Sequence, residues 1–148
     1  MDIHEHDRIL HLIYQKALSD VPESILQICD RYEGAISGRI GCNFPMEFVQ
    51  QHFPKHELLQ KHPRAVYVIV YKKGDSLTKK HELQHAYYYM NDSFRKQVQL
   101  LWKSIHPRSQ TQIETLLKKM GYPEHVWMDE FQAYYYTEPS LFGKIHIQ

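Results

Sequence analysis

Cysteine is nearly absent: Cys29 and Cys42 are the only two in 148 residues. They make neither a disulfide-dense framework nor a Cys-x-x-Cys metal knuckle. Two reduced, partly buried thiols in an intracellular protein are expected. Excess charge is also lacking, with 18 basic against 17 acidic side chains and a net charge of +1. That removes the global electrostatic case for nucleic acid or an anionic membrane as partner. No apolar run approaches the ~20 residues a membrane span needs. The polar start Met1–Arg8 has no apolar stretch behind a basic one, as a secretion signal would. No repeat, low-complexity tract or Gly/Ser-rich linker divides the chain. The expectation is one soluble, cytoplasmic domain over residues 1–148, with no nucleic-acid or membrane partner.

Periodicity then places the elements. Apolar residues at Ile9, Leu10, Leu12, Ile13 and Leu18 predict a helix over 7–18, and Pro22 opens a second over 22–32. The glycine-punctuated stretch 34–41 suits a short strand or a turn. Short helices are expected over 45–51 and 55–61. Residues 65–71, Ala-Val-Tyr-Val-Ile-Val-Tyr, form the clearest strand, β-branched and aromatic throughout. Helices should follow over 77–90, 93–105, 110–120 and 124–136, with one short strand in the tail 141–148. The expected class is α+β, mostly helical, with a small sheet before the helix of 77–90.

That helix carries His81-Glu82-Leu83-Gln84-His85. Two histidines four apart on a helix project from one face, a turn apart. The spacing suits two corners of a zinc tetrahedron, for which imidazole nitrogen is a fitting ligand. Glu82, beside the first histidine, can reach a metal-bound water and accept its proton during attack on a carbonyl. With eleven histidines in the chain, composition alone yields such a pattern in roughly one of twenty similar sequences. The motif therefore needs a third ligand. The continuation with Gly three residues and His six residues after the second histidine fails, because Tyr88 and Asn91 stand there. Glu130, 45 residues after His85, sits among Trp127, Met128 and Phe131, where a carboxylate is costly to bury without a cation. His106 and His125 are rival third ligands, and Asp129 a weaker one.

His81-Glu82-Leu83-Gln84-His85-Ala86 followed by Asp129-Glu130-Phe131-Gln132-Ala133-Tyr134 resembles the gluzincin metallopeptidases, especially their minimal single-domain members. The resemblance spans about residues 64–137. It implies a zincin-like fold, with His81, His85 and Glu130 on Zn2+, a water as fourth ligand, and Glu82 as general base for peptide-bond hydrolysis. Larger gluzincins often carry an Asp four residues after the ligand Glu, orienting a ligand histidine; here Tyr134 stands there, so the surroundings of the ligands must differ. Tyr134 is instead a candidate donor to the oxyanion formed when water adds to a carbonyl. The family also implies that the strand before the motif helix is a sheet edge, so a peptide or protein substrate is expected along 65–71; from the residues alone an ordinary core strand fits equally well. The alternative is a non-enzymatic, zinc-stabilised protein-interaction module, whose site would close with a fourth protein ligand.

Overall fold

The computed structural model describes residues 1–36 and 38–148; Ser37, within the expected strand or turn of 34–41, lies outside the described residues. The fold is α+β, with a small mixed sheet and a majority of helix. The sheet contains β1 (Asp2–His6), β2 (Ile9–Tyr14), β3 (Cys42–Pro45) and β4 (Tyr67–Lys72), in the order β1-β2-β4-β3.

The expected helix over 7–18 is instead a hairpin. β1 pairs antiparallel with β2, His6 facing Ile9, through a two-residue turn in which Asp7 (φ 52°) and Arg8 (φ 67°) are both left-handed. Such a turn matches the twist of the flanking strands. The misreading has a physical cause: β2 is covered on both faces, so five of its six residues are buried. A strand apolar on both faces loses the alternation that distinguishes it from a helical stripe.

β2 runs parallel to β4, joined by a crossover containing α1 (Glu23–Glu33), β3, α2 (Met46–His52) and α3 (Glu57–Lys61). β3 returns antiparallel on the other side of β4. β4 is therefore an interior strand with both hydrogen-bonding edges occupied. This corrects the expectation that residues 65–71 form a free edge along which a peptide pairs. The edge next to the motif helix belongs to β3.

One sheet face carries Leu10, Leu12, Phe44, Val68 and Val70 against α1–α3. The other presents Ile9, Tyr67, Ile69 and Tyr71 to α4 (Ser76–Met90). A further helical layer, α5 (Asp92–Ser104), α6 (Pro107–Lys119) and α7 (Trp127–Thr137), packs around Val98, Ile113, Leu117 and Phe131. Cys29 of α1 and Cys42 of β3, both fully buried, form a disulfide. Two reduced thiols were expected; the crossover instead brings the two Cα atoms to 6.1 Å, a bridging distance. The tail lies against the α5–α6 junction, where Ile147 bridges Ile105 and the His106 amide donates to the His146 carbonyl. No helix among the described residues is long and apolar enough to cross a membrane.

Candidate metal centre

Helix α4 starts at Asp75, whose side chain accepts hydrogen bonds from the Thr78 amide (3.1 Å) and hydroxyl (2.6 Å). This N-cap fixes the rotation of the helix. Its buried face consists of Thr78, His81, Glu82, His85 and Ala86. A helix buried through polar side chains must satisfy them elsewhere. The partners come from α7, whose first turn carries Asp129 and Glu130, a position where the helix dipole favours negative charge.

His81, His85 and Glu130 converge. The two Nε2 atoms lie 3.2 Å apart, His85 Nε2 lies 3.0 Å from Glu130 Oε2, and His81 Nε2 lies 3.8 Å from Glu130 Oε1. All three side chains are buried. Among the described residues this group could hold a metal ion. The rivals are elsewhere: His106 is exposed and caps α6, its Nδ1 accepting from the Arg108 amide at 3.0 Å, and His125 is exposed in the short turn Glu124–Val126.

The outer nitrogens set which imidazole atoms face inward. His85 Nδ1 lies 3.0 Å from Asp129 Oδ1, and His81 Nδ1 lies 3.5 Å from the Thr137 hydroxyl, which itself donates to the Ala133 carbonyl at 2.6 Å. With protons on both Nδ1 atoms, two Nε2 lone pairs and a carboxylate face one another across about 3–4 Å. Three buried acceptors pointing at one spot are unfavourable unless a cation or protons occupy it. Burial alone would lower the His85 pKa, but Asp129 and Glu130 raise it well above its usual value. Burial likewise works against the Glu130 carboxylate, yet His85 and His81 hold its pKa down at about 2.

Glu82 faces the same space without joining the group. Burial pushes its pKa up, while His85, His81 and Asn43 pull it back. Beside it lies a cavity of about 450 Å³, walled by Glu33, Asn43, Tyr122, Tyr134 and the chain from Gly38 to Gly41. The Tyr134 ring packs on His81, centroids 4.4 Å apart, and its hydroxyl lies 2.9 Å from that of Tyr122. Burial, then the Glu130 charge, carries the Tyr134 pKa to about 12 against the Tyr122 hydrogen bond, and burial carries Tyr122 up as well. Both phenols thus keep their protons at neutral pH.

All five sequence-derived candidates, His81, Glu82, His85, Glu130 and Tyr134, line this cavity. Sequence reasoning missed Asn43, Glu33 and Tyr122, for which no motif signals, and weighed Asp129 only as a ligand. Compared with known proteins, the chain matches no family model, no curated protein and no solved structure.

Proposed function

We propose that the chain is a zinc-dependent peptide-bond hydrolase of zincin-like architecture, with His81, His85 and Glu130 as the zinc ligands. The observation that carries this is the convergence of three side chains: His85 Nε2 lies 3.2 Å from His81 Nε2 and 3.0 Å from Glu130 Oε2, and His81 Nε2 lies 3.8 Å from Glu130 Oε1. A tetrahedral zinc ion with bonds near 2.0–2.1 Å separates its ligand atoms by about 3.3 Å, and these separations lie on either side of that value. Two imidazoles and one carboxylate, with a cavity on the remaining side, are the donor set of an open, catalytic site rather than a closed structural one. That favours an enzyme over the interaction module.

Zinc would supply Lewis acidity toward a carbonyl and make water a usable nucleophile near neutral pH. The chain's own residues do the rest. Glu82 accepts the proton of the attacking water and passes it to the leaving amine; its buried, raised pKa suits a group that must both take and give a proton. In the Tyr122–Tyr134 pair one hydroxyl donates to the other, leaving one phenolic proton free to donate toward a developing oxyanion. The cavity admits a few residues of peptide, and substrate peptide or protein is the proposed partner. For the compartment, the Cys29–Cys42 disulfide is the one pointer, and it favours an oxidising setting over the reducing cytoplasm expected from the sequence.

The test is metal analysis with peptide hydrolysis on chain purified without chelators. About one zinc per chain is expected, lost in His81→Ala, His85→Ala or Glu130→Ala. Glu82→Gln should keep the zinc and lower turnover by about 10²–10⁴-fold, the range of a general base. A folded wild type that binds no zinc, or full activity in Glu82→Gln, would end the proposal.

A further inference from the structure

Four elements of the fold meet at one buried amide. Asn43 of β3, 2% exposed, stands opposite Ile69 of β4 on the sheet face turned toward α4. Its Nδ2 donates to Glu82 Oε2 at 2.9 Å and to Glu33 Oε1 at 2.6 Å. Its Oδ1 accepts from the hydroxyl of Tyr67 at 2.5 Å, and Tyr67 is itself fully buried. The amide has only one workable orientation. Turned over, Oδ1 would face the carboxyl oxygens of Glu82 and Glu33, and both N–H groups would meet a single phenol.

We infer that Asn43 is the positioning residue for Glu82, held in register by Glu33 and Tyr67. The inference rests on Glu82 being the base of the proposed hydrolase. One amide proton engages Oε2 of Glu82, which leaves Oε1 as the oxygen free for proton transfer. Gly41 keeps that oxygen uncovered, since a Cβ there would stand 3.3 Å from it. Glu33 ends α1 and would otherwise be a buried acid without a task. Its other oxygen lies 3.7 Å from the Arg39 guanidinium, so its carboxyl group has a neighbour on each side and restrains the Asn43 amide. The disulfide joins the two segments that carry this tether, because Cys29 lies one turn before Glu33 and Cys42 directly precedes Asn43. A base whose carboxylate is fixed by a donor loses no time in unproductive rotamers, and misplacing it by an ångström is costly in rate while leaving substrate binding alone.

The experiment uses the zinc-loaded full chain and the variants Asn43→Ala, Asn43→Asp and Tyr67→Phe. Asn43→Ala should retain wild-type zinc content and a KM within about twofold, with kcat lowered about 10–100-fold. Asn43→Asp keeps the volume but removes both donors, so it should lose at least as much. Tyr67→Phe leaves Asn43 in place and frees its amide; about fivefold in kcat at constant KM is expected, and it serves where the Asn43 variants fail to fold. Unchanged kcat, or zinc content and KM failing together with kcat, would overturn the inference. A crystal structure of zinc-loaded Asn43→Ala reads the same point without activity: Glu82 should leave its wild-type rotamer, and an unmoved Glu82 overturns the positioning role. An inactive wild type with a displaced Glu82 in Asn43→Ala would instead count against the hydrolase alone.

Discussion

Asp129 Oδ1 lies 3.0 Å from Nδ1 of His85, on the opposite side of the ring from the nitrogen that meets Glu130. On the zinc reading, Tyr134 stands where an orienting aspartate would be expected four residues after Glu130, and Asp129, one residue before Glu130, reaches His85 instead. Gln132 holds that carboxylate, its Nε2 donating to Asp129 Oδ1 at 3.0 Å and to the Gln84 carbonyl at 3.1 Å. Such partners fix the tautomer and raise ligand basicity. On the zinc reading, Asp129→Ala should therefore weaken zinc binding about 10–100-fold, and Asp129→Asn by a similar factor, because the contact with His85 is one of charge at ion-pair distance. Competition with a chromophoric chelator measures both; wild-type affinity in Asp129→Ala would mean that His85 is oriented by packing alone.

Gly41 is required for space rather than for backbone freedom. A Cβ there would approach Thr78 Cγ2 to 2.7 Å and the Val70 carbonyl oxygen to 2.9 Å. The backbone oxygen cannot yield, so Gly41→Ala is expected to destabilise the chain by about 1–3 kcal/mol, the usual cost of overpacking. Denaturant unfolding would show it as a lower midpoint at unchanged slope. An unaltered midpoint would mean that β3 shifts freely against α4.

Acid should weaken the fold through His11. Its pKa is lowered from 6.5 to about 4, first by burial and then by His4, Lys79 and His6. Its Nδ1 lies 2.8 Å from the Tyr71 hydroxyl, and its ring stacks on His4 with centroids 4.3 Å apart. Between pH 6.5 and 4 the unfolded chain binds a proton that the folded chain refuses, so stability falls as pH falls across that window. His11→Gln should flatten this part of the stability profile. A wild-type profile already flat there would mean that His11 charges without penalty.

How much of this is visible in the sequence depends on whether one segment carries its own signal. The strand at β4 is legible because its β-branched and aromatic composition is a local property. The candidate metal group is legible because His81 and His85 are one turn apart and Glu130 stands in apolar company. The hairpin of β1 and β2 is not, because burial of both faces of β2 erases alternation and the left-handed turn uses Asp7 and Arg8 instead of glycine. The interior position of β4 depends on the hairpin arriving beside it, a long-range pairing with no local trace. The Cys29–Cys42 bond is of the same kind. Asn43 and Glu33 form a contact only after α1, β3 and α4 have packed, so no spacing announces them.

The polar inner face of α4 has a consequence for the life of the protein before any substrate is met. Of its five buried residues only Ala86 is apolar; Leu83, Tyr89 and Met90 add half-buried apolar contact to the sheet, but the polar centre of this face contributes little adhesion of its own. A ligated ion would supply that adhesion, since metal affinity and folding stability are one quantity when the unfolded chain binds metal poorly. On the zinc reading, the ambient supply of free zinc governs how many copies survive proteolytic surveillance, and abundance becomes a readout of metal nutrition.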